Sequence, residues 1–161
     1  MDNHMTGEAA PRPEDLQVMF DHAAREYPFE SCGVVIGKPG DPARNAVIPC
    51  KNIQRELHER DPQHFRRDAH TGYFMDPKDL KNAFTRAARE GLDVVGFYHS
   101  HPNHGAYWSA EDHRAAMWAD SGEPSYPGAF HVVISVVDGR AREAKMFIWD
   151  DASRSFIERA V

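Results

Sequence analysis

The chain of 161 residues contains only two cysteines, Cys32 and Cys50. Two cysteines are too few for a disulfide framework or a cysteine-rich zinc site, and they suit a reducing compartment. The sequence also lacks an apolar run near the roughly 20 residues of a membrane span. Residues 1–15 carry acids and prolines where a signal peptide has a basic start followed by an apolar stretch. We therefore expect a cytoplasmic protein without membrane contact.

Positive charge is in short supply as well. The 19 Lys and Arg residues stand against 25 Asp and Glu residues, which gives a net charge of −6, and no basic block dominates the sequence. This balance disfavours a nucleic-acid partner. Histidine, by contrast, occurs ten times. With many imidazoles and few thiols, any metal site should use nitrogen and oxygen ligands rather than sulfur.

The length and the hydrophobic pattern predict one folded domain at residues 13–161, preceded by a flexible tail at residues 1–12. Helical spacing of apolar residues predicts helices at about residues 13–27 and from Asp76-Pro77 to Gly91. The expected buried face of the second helix comprises Leu80, Phe84, Ala87, Ala88 and Leu92. Strands are predicted at about residues 32–37, 45–50, 94–99, 131–137, 142–149 and 155–161. This mixed order predicts an α+β fold, with one curved mixed sheet flanked by two to three helices.

Two segments stand out as connections. Residues 54–71 have almost no apolar content and are interpreted as a long loop, and residues 121–128 are rich in proline and glycine. Loops of such length are usually functional or mobile, so both are candidates for substrate or partner contacts. A third helix is predicted between them, from Ser109 to about Asp120.

The strongest chemical signal lies at the end of the predicted strand 94–99. His99 and His101 are two residues apart, so their side chains leave the same face of the strand. Asp112 follows eleven residues after His101, in the first turn of a predicted helix. Two imidazoles and one carboxylate supply three of the four tetrahedral positions of zinc and leave the fourth for water. This pattern indicates a metal-dependent hydrolase.

Other interpretations of the same residues stay open. Ser109 and Asp112 can form a helix cap that needs no metal. His104 and His113 are alternative nitrogen ligands. The spacing His99-x-His101-x-x-His104 also resembles the metallo-β-lactamase run, although Asn103 replaces the aspartate of that run and the fold normally needs a longer chain.

The run His99-Ser100-His101-Pro102, followed after six residues by Ser109 and after two more by Asp112, resembles the JAMM motif of the metal-dependent MPN (JAB) domain. Glu30, which opens the segment Glu30-Ser31-Cys32-Gly33, matches the upstream glutamate of that family. The resemblance covers about residues 14–150 and implies a cytidine-deaminase-like curved sheet. It is greatest to small bacterial members that cut a C-terminal adduct from a ubiquitin-like sulfur-carrier protein. Asn103 departs from these members, many of which have aspartate there, so the substrate stays open.

The resemblance also implies residue roles. His99, His101 and Asp112 would hold Zn²⁺, Glu30 would accept a proton from water and pass it to the leaving amine, and Ser109 would donate to the oxyanion. The implied reaction is hydrolysis of a peptide or isopeptide bond at the C-terminal Gly-Gly tail of a ubiquitin-like or sulfur-carrier protein. Release of cysteine in sulfur transfer is one form that this reaction takes in the family. Ser100 is expected to support packing, and Trp108 to line the groove or cover the core.

Two other functions are compatible with the sequence. MPN domains without metal ligands serve as non-catalytic scaffold modules, and some JAMM peptidases act on wall peptides or with phage tails. The complete set of five motif residues disfavours the first, and the missing signal peptide and cysteine-peptidase domain disfavour the second. The sequence leaves the oligomeric state open.

Overall fold

The computed structural model of the protein describes residues 8–161. Residues 1–7, which make up most of the predicted tail, lie outside the described residues. The remainder of that segment is attached to the fold, since the Asn45 amide donates to the Ala10 carbonyl at 2.8 Å. The Arg12 guanidinium also donates to the Asn45 carbonyl at 3.1 Å.

Four helices and six strands form within residues 8–161. In chain order they are α1 (Pro13–Glu26), β1 (Cys32–Lys38), β2 (Asp41–Cys50), α2 (Gln54–Arg60), α3 (Pro77–Glu90), β3 (Asp93–Pro102), α4 (Ala110–Ala116), β4 (Phe130–Val137), β5 (Arg140–Asp150) and β6 (Ser155–Arg159). The strands make one sheet in the order β2-β1-β3-β4-β5-β6. Its β3–β4 pair is parallel and its other pairs are antiparallel. The predicted α+β fold with a single mixed sheet is confirmed.

The two long helices cover opposite faces of this sheet. On α1, Met19 and Ala23 pack against a cluster that includes Tyr98 and Ile134. On α3, Ala83 and Ala87 belong to a second cluster, which covers the other face of β1. Strand β3 lies between β1 and β4 and is buried on both faces, which explains its nearly continuous apolar sequence.

Two glycines let large rings lie flat on the sheet. A Cβ atom at Gly33 would lie 2.2 Å from the Tyr98 ring, and one at Gly96 would lie 2.3 Å from the Phe130 ring. Both distances are far below van der Waals contact, so any side chain at either position would displace a buried aromatic ring. These glycines therefore make room for the Tyr98 and Phe130 rings in the core.

Three sequence expectations differ from the structure. The predicted loop 54–71 begins with helix α2, whose amide of Gln54 donates to the Asn52 side chain at 2.9 Å. This helix buries a polar residue, Gln54, and has no apolar stripe, so periodicity gives no sign of it. Helix α4 ends at Ala116 rather than near Asp120, because Met117 is extended and forms a bridge with Pro124.

The third difference concerns the residues of α3 that were predicted to be buried, since only some of them are. Ala83 and Ala87 face the core, whereas Ala88 is exposed and Phe84 has 39% of its surface exposed. Leu80 and Leu92 are partly buried against the same cluster, while the Phe84 ring packs at 5.8 Å against that of Tyr126. Within residues 8–161, no helix is long and apolar enough to cross a membrane.

Candidate metal centre

The two histidines of β3 converge on one point. Their Nε2 atoms are 3.2 Å apart, and both rings are buried. The same-face prediction for His99 and His101 is therefore reproduced, with β3 continuing through Pro102 in parallel pairing with β4. Pairing with β4 holds both histidine backbones rigidly, so the ring positions are set by the sheet rather than by a loop.

Asp112 completes the cluster from the opposite side. Its Oδ1 atom lies 2.9 Å from His99 Nε2, and its Oδ2 atom lies 3.2 Å from His101 Nε2. The carboxylate also accepts the Ser109 backbone amide at 3.0 Å, while the Asp112 amide donates to Ser109 Oγ at 3.0 Å. The helix cap and the contact with the histidines thus coexist, because one carboxylate has enough lone pairs for both.

The Nδ1 atom of His101 is held by a backbone carbonyl. It lies 2.9 Å from the Gly105 carbonyl oxygen, which can only accept, so Nδ1 carries a proton. The Nε2 atom faces Asp112 Oδ2 at 3.2 Å, and the contact with this carboxylate helps to raise the pKa of His101. Because Nδ1 keeps its proton, Nε2 is the atom that would offer its lone pair to a metal ion. The His99 ring is held differently, by stacking on Tyr73 with ring centroids 4.7 Å apart.

Glu30 lies beside this cluster although it is far away in sequence. Strand β1 pairs with β3 so that Cys32 is opposite His99, and this brings Glu30 to the same end of the sheet. A Glu30 carboxylate oxygen and the His99 and His101 ring nitrogens lie within 4.8 Å of one another. The Glu30 amide donates to the Ala69 carbonyl at 2.7 Å, which anchors its backbone.

Ser100 supports this arrangement from the other face of β3. Its Oγ atom accepts the Ser31 amide at 2.8 Å and is 2.9 Å from Ser31 Oγ. Since Ser31 follows Glu30 directly, these contacts fix where the Glu30 side chain leaves the backbone. The expected packing role of Ser100 agrees with these contacts.

Burial and charge shift the pKa values at the site. Burial raises the pKa of the Glu30 carboxyl to about 8, against smaller opposing effects of His101 and Arg67. Burial alone would also raise the pKa of Asp112, but the hydrogen bonds to His101 and His99 outweigh it and hold that pKa well below its usual range. The cluster therefore combines one permanent anion with one carboxyl that exchanges its proton near neutral pH.

The donor set fits a tetrahedral metal ion. Ligands bound at about 2.0–2.1 Å in a tetrahedron are about 3.3–3.4 Å apart, a spacing that follows from zinc–nitrogen and zinc–oxygen distances. The Nε2 atoms of His99 and His101 are 3.2 Å apart, close to this spacing. The Asp112 carboxylate faces both rings, with Oδ1 2.9 Å from His99 Nε2 and Oδ2 3.2 Å from His101 Nε2. Two neutral imidazoles and a carboxylate also match the ligand preference of zinc. The buried cluster is thus suited to hold a metal ion.

The comparisons with known proteins agree with this geometry. The family described as prokaryotic homologs of the JAB domain matches residues 13–150. The chain belongs to this family. Desampylase from Haloferax volcanii is 30% identical over 132 residues, which cover 82% of this chain and 80% of the relative. CysO-cysteine peptidase from Mycobacterium tuberculosis is 30% identical over 137 residues, covering 84% and 79%.

A solved structure from Salinibacter ruber extends the similarity to three dimensions. It has a TM-score of 0.63 and 28% identity, and the match covers 95% of this chain and 90% of that chain. The predicted membership of the JAB family is therefore confirmed, and with it the expectation of a peptidase-type hydrolase. The similarity supports the same fold around the cluster.

A groove of about 760 Å³ opens over the candidate metal centre of this JAB domain. One wall comes from the segment 64–73 together with Glu30, whose amide is bonded to Ala69. The other wall comes from residues 101–115, which include Ser109 and Asp112. The half-exposed Tyr107 stands at the rim, with its ring 5.1 Å from that of His101. Several residues of the segment 54–71 line the groove, which supports its predicted role in substrate or partner contacts. Residues 121–128 do not line it.

The two alternative nitrogen ligands, His104 and His113, do not join the cluster of His99, His101 and Asp112. His104 lines the groove but is not part of the convergent cluster found among residues 8–161, and the His113 ring packs against Phe156 at 5.8 Å. Trp108 contacts the aromatic rings of Phe147 and Phe156, so it covers the core rather than the groove.

Neither cysteine is suited to act as a nucleophile. Both are buried and free, and burial raises the pKa of Cys32 well above its usual value and that of Cys50 to about 12. Thiols with such pKa values are almost fully protonated at neutral pH and therefore unreactive. The interpretation of Cys32 as a small hydrophobic residue agrees with its place in the core beneath α3.

Sequence reasoning missed the residues that orient the site. Tyr73 stacks on His99, Gly105 orders the His101 tautomer, and the Asn52 amide donates to the Glu30 carbonyl at 2.9 Å. None of them has a local signature, because each acts only through a contact made by the folded chain. The bridge between Asn52 and Met75 is what brings Tyr73 against the site.

Proposed function

We propose that the chain is a zinc-dependent peptidase that hydrolyses a peptide or isopeptide bond at the C-terminal Gly-Gly tail of a ubiquitin-like or sulfur-carrier protein. The observation that carries the proposal is the convergence of His99, His101 and Asp112 beside the buried carboxyl of Glu30. The names of the relatives support the substrate class, since one is a desampylase and another cleaves a CysO-cysteine conjugate.

His99, His101 and Asp112 are the proposed metal ligands. Zinc, when bound there, would lower the pKa of a coordinated water toward about 7 and polarise the scissile carbonyl. The protein's part is to hold three donors at the correct spacing. The sheet fixes the two histidines, and the capping box of α4 fixes the carboxylate.

Glu30 is the proposed proton carrier. Its carboxylate would accept a proton from the attacking water and then protonate the leaving amine. A general base works best when its pKa lies near the working pH, and burial raises the pKa of the Glu30 carboxyl in the metal-free protein to about 8. A zinc ion beside it would bring this pKa down toward neutral values. An exposed glutamate with its ordinary pKa of about 4.3 would be a much weaker base at neutral pH.

Ser109 is the proposed oxyanion donor. Its Oγ atom accepts the Asp112 amide at 3.0 Å, so the hydroxyl proton is free to point into the groove. A donor placed at the developing oxyanion typically contributes about 3 kcal/mol to stabilising the transition state. Its position at the helix cap holds the hydroxyl close to the metal ligands without extra rotamer freedom.

The tail of a ubiquitin-like protein suits the groove. Tyr73 and Tyr107 both line it close to the histidines, so the space beside the metal ligands favours residues without side chains. An extended Gly-Gly segment meets this requirement and exposes backbone groups for hydrogen bonding. The two buried, free cysteines support the expected reducing, cytoplasmic location.

The test combines metal content with turnover. Purified protein should bind one zinc ion per chain and should cleave a Gly-Gly-linked adduct, and chelation should stop cleavage. His99→Ala should lose the metal, and Glu30→Gln should keep the metal while losing most of the activity. Unchanged cleavage in both variants would contradict the proposal, and a stably folded protein without metal or activity would favour the scaffold alternative.

A further inference from the structure

The lining of the groove is less acidic than the chain as a whole, whose net charge is −6. Three arginines line it, namely Arg66, Arg67 and Arg114, against the three acids Glu30, Glu111 and Asp112. Two of these acids already face a partner, since Glu111 pairs with Arg114 and Asp112 contacts the two histidines. An arginine of the groove with unused N–H donors can therefore bind an anionic group of a ligand.

Two of these arginines differ in how fully they are paired. Arg114 Nη1 lies 2.6 Å from Glu111 Oε1, a close ion pair within helix α4. Arg67 Nη2 lies 3.9 Å from the same oxygen, which is too long for a hydrogen bond. The other end of the Arg67 guanidinium is held, because Nη1 donates to the Thr71 carbonyl at 3.1 Å. Arg67 is thus anchored with hydrogen-bonding capacity to spare.

Arg67 also belongs to the wall that carries Glu30. The Gln54 side chain donates to the Arg67 carbonyl at 2.7 Å, and two residues later the Ala69 carbonyl accepts the Glu30 amide at 2.7 Å. These bonds fix the Arg67 backbone relative to Glu30. The charge of Arg67 is close enough to lower the pKa of Glu30 against the larger effect of burial.

Because Arg67 lies near Glu30, it faces the leaving-group side of the scissile bond. In the proposed function, Glu30 protonates the leaving amine, so the leaving group lies beside it. When the leaving group is a single amino acid, its α-carboxylate is attached to the same carbon as that amine. An arginine on the Glu30 wall is therefore placed to meet this carboxylate, and its planar fork suits bidentate binding.

We propose that Arg67 binds a carboxylate on the leaving-group side of the scissile bond and so makes the enzyme selective for acidic leaving groups. The inference rests on the proposed function. Two sources share this chemistry, namely the α-carboxylate of a single released amino acid and an acidic side chain next to an isopeptide-linked lysine. Glu111 limits the positive charge of the groove, because it occupies Arg114 and faces Arg67.

The test uses matched substrates with the zinc-loaded protein. One pair carries a Gly-Gly-Ala end with either a free carboxylate or a carboxamide, and the other carries a Gly-Gly–lysine isopeptide with either Asp or Asn beside the lysine. The wild type should prefer the acidic member of a pair in kcat/KM by about tenfold or more, the size of a charge-assisted hydrogen bond. The pair that shows this preference identifies the source of the carboxylate.

The variant Arg67→Gln should abolish the preference by slowing the acidic substrate alone, mainly through KM, and Arg67→Lys should restore part of it. Arg86→Gln is the matched control, because Arg86 also pairs with a glutamate but lies on α3, outside the groove. Equal cleavage of both members by the wild type, or an equal loss on both in Arg67→Gln, would overturn the inference. No cleavage of any substrate by the zinc-loaded wild type would instead overturn the proposed function.

Discussion

Replacing Glu30 by glutamine should stabilise the metal-free protein while disabling the enzyme. Glu30 is only 6% exposed, and burial raises the pKa of its carboxyl from an ordinary 4.5 to about 8. Below pH 4.5 the carboxyl is protonated in both the folded and the unfolded state, so its ionisation has no effect on stability. As the pH rises, the unfolded chain releases this proton first, and the free energy of unfolding falls until the pH passes the folded-state value.

The magnitude follows from the two pKa values. At 1.36 kcal/mol per pH unit, ionisation of Glu30 lowers the free energy of unfolding by about 3 kcal/mol at pH 7 and by on the order of 5 kcal/mol once the pH reaches 8. Glutamine has nearly the same shape and no ionisation, so Glu30→Gln should escape this loss. The advantage of the variant over wild type should therefore be near zero at pH 4.5 and should grow steadily up to pH 8.

The assay is urea unfolding of the chelated wild type and Glu30→Gln proteins at several pH values between 5 and 8. Glu59→Gln is the control, because Glu59 is an exposed residue of α2. Its stability difference from wild type should not change with pH. With zinc restored, Glu30→Gln should lose about 10²- to 10⁴-fold in kcat, the usual contribution of a general base. If the stability difference between Glu30→Gln and wild type does not depend on pH, burial does not raise the pKa of the Glu30 carboxyl and the reasoning is refuted.

Two further variant pairs test the structure. Ser109→Ala and Asp112→Ala both break the capping box of α4, and Ser109→Ala should lower the free energy of unfolding of the metal-free protein by about 1 kcal/mol. Asp112→Ala should lower it further, because it also removes the carboxylate that contacts the buried His99 and His101. Measured zinc content should fall only in Asp112→Ala, while Ser109→Ala should keep zinc and lose about 10²- to 10³-fold in kcat. Gly96→Ala should destabilise the fold by about 1–3 kcal/mol in urea unfolding, because its Cβ would meet the Phe130 ring at 2.3 Å. Gly128→Ala should have little effect, since a Cβ there has nothing within 4 Å.

Local patterns were enough to locate the main elements of the sheet and helices. Asp76 accepts the Lys78 amide at the start of α3, and Gly91 ends it in the left-handed conformation, as their positions in the sequence predicted. Asp138 and Gly139 both have positive φ in the turn between β4 and β5, which is the conformation that their residue types favour. Helix α2 escaped prediction because it is held by side-chain hydrogen bonds instead of an apolar stripe.

For the site, the sequence by itself determined which donors can converge. A two-residue repeat puts His99 and His101 on one face of any strand, and a capping box puts Asp112 in a first helical turn, whatever the rest of the chain does. The resemblance to the JAMM motif added Glu30 and Ser109, whose roles stay predictions.

Only the tertiary structure decided how these groups are tuned. Antiparallel pairing of β1 with β3 brings Glu30 to the histidines across 69 residues of chain, and burial there gives its carboxyl a pKa near neutrality. The Gly105 carbonyl sets the tautomer of His101, and the segment that carries Arg67 closes one wall of the groove. Desolvation and contacts between distant segments have no local sequence signature, because they exist only after the chain has folded around the site.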